Sequence, residues 1–505
     1  MNNRLMLRRM GSVTPQRYFV RPSTTPGTYG TEDGSSYANA WNGFSDIDWA
    51  SVENNILAVC GTHTEQFTVQ SNCTLVFNDV NEIGEIDATG INTGIFIDGY
   101  DATLESPVVN NANVHNVYFE NSTSIVNNGT FNNCANQGVQ HWSNSIVTYN
   151  GTTTTNGNSD EGFSGHLNAE VTINGTWQAQ NNTQAAANFI EESKFTFNCV
   201  FDFLNNGTYD IWGTNNTGAN LSDLQININT SSQVGSVRID GGQLNIVGGD
   251  VVDVIVSLNS EVNIDNSIVD NFSAVGAFIG IINTINDSLI KNLSTLSNSN
   301  YNLQDSRIGI TGAFDVLGDI TAKRCLFDAA NSIDHTITCF GGVSIDHCIF
   351  INTIDAKFST VITSGATVNS FDNNTFYQAS GSGRGILTRE TMTANNLIMV
   401  GLSLVTFTQN SATLTLNNSN LFNSSGFDSG NGTSVSNNEI AGDPLFEDAS
   451  TLDLRLATGS PCIGAGVTTT NTEGIDTANW GNGSTKPTIT SKTQTAPFDL
   501  GAYVD

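Results

Sequence analysis

The chain is short of proline, of charge and above all of positive charge. Eight prolines and a charged fraction of 13% leave the polar positions to Asn, Ser and Thr, and 17 basic residues face 48 acidic ones. The formal net charge of −31 excludes a basic face for nucleic acid or anionic lipid, so neither a nucleic-acid partner nor membrane insertion is expected. No apolar run approaches membrane-spanning length. The eight cysteines contain no Cys-x-x-Cys pair, which removes the usual zinc and redox motifs, and no metal-binding His cluster exists either. No metal or cofactor is therefore assigned, although the acidity is compatible with scattered Ca2+ sites. With 38% hydrophobic residues the chain is too apolar for disorder, and its 48 glycines suit tight turns between short strands.

What is present is a phrase. An apolar residue is followed by two polar ones, a small residue, another residue and a large apolar one. The copies are Ile264-Asp-Asn-Ser-Ile-Val269, Ile285-Asn-Asp-Ser-Leu-Ile290, Leu303-Gln-Asp-Ser-Arg-Ile308, Ala322-Lys-Arg-Cys-Leu-Phe327, Ile345-Asp-His-Cys-Ile-Phe350, Phe371-Asp-Asn-Asn-Thr-Phe376, Ala394-Asn-Asn-Leu-Ile-Met399 and Leu416-Asn-Asn-Ser-Asn-Leu421. Subtracting successive first positions gives 21, 18, 19, 23, 26, 23 and 22. A period near 20 that stretches by a few residues marks a solenoid with loops of variable length. The local alternation is that of a strand. Asn and Asp tolerate the left-handed backbone region, so each polar pair turns the chain between two strands. Coils of this kind stack by hydrogen bonding rung to rung, and only the stack has a core. The expected fold is all-β, a right-handed parallel β-helix of roughly 16 to 18 coils. Cys325 and Cys348 hold equivalent places in neighbouring copies and should stack as small buried residues.

Residues 1–17 open with Arg4, Arg8 and Arg9 and lack the apolar core of a secretory signal, which predicts no export by the usual route and suits a docking or flexible peptide. Residues 18–55 read as an N-terminal cap with a short helix around 40–54. Residues 56–426 form the β-helix and 427–505 a C-terminal capping region. Strand signals continue less regularly from 66 to 260. The stretch 136–192 fits the rhythm worst, with Trp142, Tyr149, His166 and Trp177. It reads either as a projecting sugar-binding loop or as a widened coil with its aromatics in the core.

The two ends carry a resemblance. Asp33-Gly-Ser35, Ala40-Trp41, Leu57, Val59, Gly61, His63 and Glu65 match the entry segment of bacterial and phage right-handed parallel β-helix proteins. Gly442-Asp-Pro-Leu-Phe446, Gly459-Ser-Pro-Cys-Ile-Gly-Ala-Gly466 and Asp499-Leu-Gly-Ala-Tyr503 resemble the closing segment of such proteins. The match covers only the ends and brings no catalytic residue with it. It implies a pectate-lyase-like solenoid of the bacteriophage tailspike or virion-spike type, usually homotrimeric. Such a spike attaches to other virion proteins through its N-terminal peptide and to a host surface polysaccharide or glycan through its body. A secreted polysaccharide lyase or glycoside hydrolase, and an extracellular or cell-surface adhesin or stalk, are the alternatives this fold also serves.

Aligning the copies brings Lys323, Arg324, Asp346, His347 and Asp372 to one outer edge. Asp346 and Asp372, one rung apart, suit a paired-acid mechanism, and His347 beside them suits general acid/base work. These are the candidate catalytic residues. Lys323, Arg324, Arg384, Trp142 and Trp177 are the candidate binding residues. Asp355, Lys357, Arg389 and Glu390 add charge on the longer loops alongside.

Overall fold

A computed structural model describes residues 14–207, 209–215, 224–229, 233–276, 282–297, 300–330, 332, 335–353, 357–379, 383–428, 430–481 and 484–504. The chain is a parallel β-solenoid of about 16 turns, 56% strand and 3% helix. It divides into two compact units, residues 1–188 with 201–207, and residues 189–200 with 208–505. Most of the basic opening, residues 1–13, lies outside the described residues, as does Asp355.

In the first unit, strand Arg17–Arg21 pairs in parallel with Ile56–Val59, so the entry segment supplies a rung as well as a cover. The helix expected around 40–54 is a single turn, Trp49–Val52, started by Asp48 accepting the Ala50 N–H. The Asp33-Gly-Ser35 turn is fixed by Trp41, which stacks on Tyr18 at 5.4 Å. Gly34 sits at φ +73°, and a Cβ there would meet the Trp41 ring at 2.6 Å. Only glycine fits that turn.

Above this entry the coils step evenly. Ile95, Val117, Val139 and Phe163 pair successively and are completely buried. Leu104, Val126, Tyr149 and Ile173 form a second inner column. The stretch 136–192 is thus regular coil up to the unit boundary, and no sugar-binding loop projects from it. Trp177 is 0% exposed, stacks on Phe163 at 4.8 Å and donates its indole N–H to Thr155 Oγ1 at 3.0 Å. Its assignment as a binding residue is therefore corrected: the ring fills the core.

In the second unit the repeated phrases stack in register. Leu303 pairs with Ala322 and Ala322 with Ile345, while Phe327, Phe350, Phe376 and Met399 pair in turn. The second polar position of every phrase adopts left-handed backbone: Asn266, Asp287, Asp305, Arg324, His347, Asn373, Asn396 and Asn418 have φ between 47° and 59°. That column is the bend the sequence predicts. Asn side chains also bond along the stack, as in Asn417 Nδ2 to Asn395 Oδ1 at 2.9 Å. Cys325 and Cys348 are free and buried, like the other six cysteines.

The strand Thr433–Asn437 is the edge of a three-stranded sheet. Beyond it the chain folds back along the flank of its own unit. Leu454, Ile475, Trp480, Ala502 and Tyr503 pack on Leu326, Ile349 and Ile351, the outward residues of successive coils.

Candidate functional site

The predicted acid cluster is assembled but buried, and its His347 and Arg324 lie beneath this returning segment. Residues 465–473 run across the left-handed column and meet one coil every second residue. Asn418 Nδ2 donates to the Ala465 carbonyl at 2.8 Å, and Asn396 Nδ2 to that of Val467 at 2.7 Å. Asn373 Nδ2 donates to Thr469 Oγ1 at 2.9 Å, His347 Nε2 lies 3.1 Å from the Asn471 carbonyl, and Arg324 Nη1 lies 3.5 Å from Glu473 Oε2. Two positions in this column break the Asn/Asp rule, Arg324 and His347. Both are residues whose longer side chains reach the strap. A left-handed Arg or His costs backbone energy, and the contacts to the strap are what that cost secures.

The closing motif completes the lock. Asp499 Oδ1 accepts the Gly464 N–H at 2.8 Å, Gly501 N donates to the Asn396 carbonyl at 2.7 Å, and Ala502 N donates to Thr375 Oγ1 at 3.0 Å. Gly501 must be glycine, because it has φ +83° and a Cβ would meet Thr375 Oγ1 at 2.6 Å. Trp480 donates its indole N–H to the Tyr503 hydroxyl at 3.1 Å.

Buried this way, the candidate catalytic residues have structural partners. His347 is 0% exposed, with its second ring nitrogen 3.3 Å from the Ala502 carbonyl, and burial holds its pKa below the usual value. Asp346 accepts from Ser370 Oγ at 2.7 Å and from the Asp372 N–H at 3.0 Å. Asp372 accepts both the backbone and side-chain N–H groups of Asn395, at 2.9 and 2.8 Å. Its pKa is pushed up to about 6, chiefly by burial, with the Asp346 charge adding to the shift. Arg324 is clamped on Asp305 by two bonds of 2.6 and 2.8 Å. The exposed acid/base edge expected from the alignment is corrected to a covered docking ladder. Lys323 is half-buried at the bend, and Arg384 lies over the Phe358 ring at 5.4 Å.

A different surface of the first unit is open. Alternation puts the columns of Tyr118 and Glu120 on the outer face of the sheet whose inner face is Ile95, Val117, Val139 and Phe163, and the column of His115 lies beside them. Along them, Phe96 pairs with Tyr118, Tyr118 with Gln140 and Gln140 with Ser164, while Thr93 pairs with His115, His115 with Gln137 and Glu120 with Trp142. Phe96 and Tyr118 stack at 5.2 Å, His115 approaches Tyr118 at 5.5 Å, and Trp142 packs on His166 at 4.7 Å. His166 Nε2 lies 3.2 Å from Ser164 Oγ. All five rings are half-buried, so each keeps an exposed part. The strip ends at two acids, Asp160 and Glu161. Burial raises the pKa of both carboxyls, and for Glu161 the neighbouring Asp160 charge adds to the rise. Burial holds His115 neutral, with a pKa lowered to about 4.

Of the sequence candidates, only Trp142 belongs to this face. The rest of it went unread because a strand's outward residues vary freely, whereas its inward ones repeat. No protein-family model matches the chain, and no curated protein sequence matches it.

Proposed function

We propose that the protein is a virion spike or fibre of the tailspike type that binds a host cell-surface glycan on the outer face of its first unit. The observation that carries this reading is the strip Phe96, Tyr118, His115, His166 and Trp142, half-exposed rings set on a rigid sheet beside Glu120. Sugar rings present an apolar C–H face and an equatorial belt of hydroxyls. Aromatic faces with a carboxylate neighbour complement both. The end motifs and the solenoid support the spike assignment. In that reading residues 1–17 attach the chain to other virion proteins, and three copies assemble.

Binding suits this face better than hydrolysis. Asp160 and Glu161 are already engaged by Gln137 Nε2 and Asn188 Nδ2, and Glu161 is 3% exposed. Acids that flank a glycosidic bond must be open to the substrate. Binding of purified host-surface polysaccharide, measured by calorimetry on the intact chain and on Trp142→Ala and Tyr118→Ala, tests the proposal. Affinity that falls in both variants without sugar release supports it. Equal affinity in all three overturns it. Light scattering tests the trimer.

A further inference from the structure

At the acidic end of the strip, four side chains that contact one another in pairs each hold one oxygen with no hydrogen-bond donor. These oxygens are Asp160 Oδ1, Glu161 Oε2, Gln137 Oε1 and Asn188 Oδ1, all buried from solvent. The other half of each side chain is already engaged. Gln137 Nε2 donates to Asp160 Oδ2 at 3.0 Å, and Asn188 Nδ2 donates to Glu161 Oε1 at 2.9 Å. Glu161 is 3% exposed and Asn188 8%. The Asp160 charge also acts on Glu161.

Such a group is expensive as it stands. A buried carboxylate without a counter-charge costs several kcal/mol, and two in contact repel. The groups acting on these two carboxyls include no Lys or Arg. The balancing positive charge must come from outside the chain, as a proton or as a metal ion. A single proton would engage one oxygen of each carboxyl and leave the two amide oxygens unpaired. A cation can take a donor from all four side chains once the two amides turn their oxygens toward the carboxyls.

The ligand chemistry selects the ion. All the atoms are oxygens, two anionic and two neutral, which is the set of a hard cation rather than of zinc or copper. Among the described residues no three His, Cys, Asp or Glu side chains are grouped as metal ligands, so this centre draws half its donors from amides. A 180° turn of either amide keeps its shape and brings its oxygen to where its nitrogen lies. Asp160 is half-exposed, which leaves a way in from solvent and room for water to complete the shell.

We propose that Gln137, Asp160, Glu161 and Asn188 bind a divalent cation of the Ca2+ class. Gln137, Glu161 and Asn188 lie 24 and 27 residues apart in sequence, about one coil each. The ion therefore ties three successive rungs together under the aromatic strip and fixes their outer faces. This site stands whether or not the face binds glycan.

The experiment uses the full chain, stripped with chelator and titrated with CaCl2 or MgCl2, by calorimetry and by thermal melting. The expected result is one Ca2+ per chain, a melting temperature that rises with Ca2+ concentration, and weaker binding of Mg2+. Glu161→Gln and Asp160→Asn keep the side-chain volume and should each weaken Ca2+ by about tenfold or more, since affinity follows ligand charge. Asp98→Asn, on the same face, controls for general acidity and should leave affinity unchanged. Wild-type protein that takes up no Ca2+, or variants that bind it as tightly as wild type, would overturn the proposal. So would equal loss in the Asp98 control.

Discussion

Phe350 and Phe376 stack one coil apart, with 4.8 Å between ring centroids and 8° between planes. Phe327 continues the ladder at 5.1 Å from Phe350. Each ring is wholly buried, so the ladder is held by its neighbours above and below. Phe350→Ala should cost about 3–5 kcal/mol, and Phe350→Leu distinctly less, because the cavity is smaller. Urea unfolding of the two variants checks the order. A Phe350→Ala cost under 1 kcal/mol would contradict direct stacking.

The strap makes a local prediction. His347→Asn places the residue type that favours left-handed backbone at φ +53° but removes the reach to Asn471 and Ala502. Hydrogen exchange should accelerate in residues 469–475 while the strands Leu326–Asp328 and Ile349–Ile351 stay protected. Arg324→Ala is harsher, because Asp305 loses its bidentate partner and is left as a nearly buried charge. The expected cost is ~3–5 kcal/mol.

Asp372 gives a pH signature. Its pKa of about 6 lies above the ordinary 3.8, so the folded state holds the proton more tightly than the unfolded chain. Below pH ~4 both states are protonated and the group is neutral toward stability. Between pH ~4 and ~6 the native state pays to ionise it, and above pH 6 the full cost, up to about 3 kcal/mol, is present. Asp372→Asn should therefore stabilise the protein at pH 7.5, and the gain should shrink to nothing near pH 4. His347, with its lowered pKa, acts in the opposite sense, losing stability as pH falls below 6.5. Arg324 and Asp346 also act on this cluster, but all three are common to both proteins, so the difference between their melting curves isolates Asp372. A gain that grows on acidification would contradict the assignment.

On the outer face, Trp142→Ala and Tyr118→Ala should each lower glycan affinity by roughly tenfold, about the worth of one stacked ring. Trp177→Ala should instead destabilise the fold, since Trp177 is core. Calorimetry and melting together separate the two effects.

The bend was legible because its chemistry is local: Asn266, Asn373, Asn396 and Asn418 announce left-handed turns whatever surrounds them. In the first unit the same device is disguised. Val126-Asn-Asn, Tyr149-Asn-Gly and Ile173-Asn-Gly are the same phrase, but Gly151 and Gly175, at φ +73° and +95°, replace the Asn that drew attention later in the chain. The strap could not be read, because periodicity tells which residues stack and not what returns to cover them. His347 and Arg324 carried the clue: as exceptions in a column of Asn and Asp they answer to a partner outside the coil. The open face escaped notice for the reverse reason, since Asp98, Glu120 and Trp142 share a column without sharing a residue type.

Paired cysteines test the rung-on-rung arrangement most directly. Asn395 and Asn417 are in-register neighbours, joined side chain to side chain at 2.9 Å, and Asn437 lies one coil further on. A disulfide needs Cα atoms within ~7 Å, which one ~4.8 Å step satisfies and two steps exceed. Asn395→Cys with Asn417→Cys should oxidise to an intrachain disulfide in the folded protein, and Asn395→Cys with Asn437→Cys should remain reduced. Bond formation in the second pair and not the first would contradict the stack.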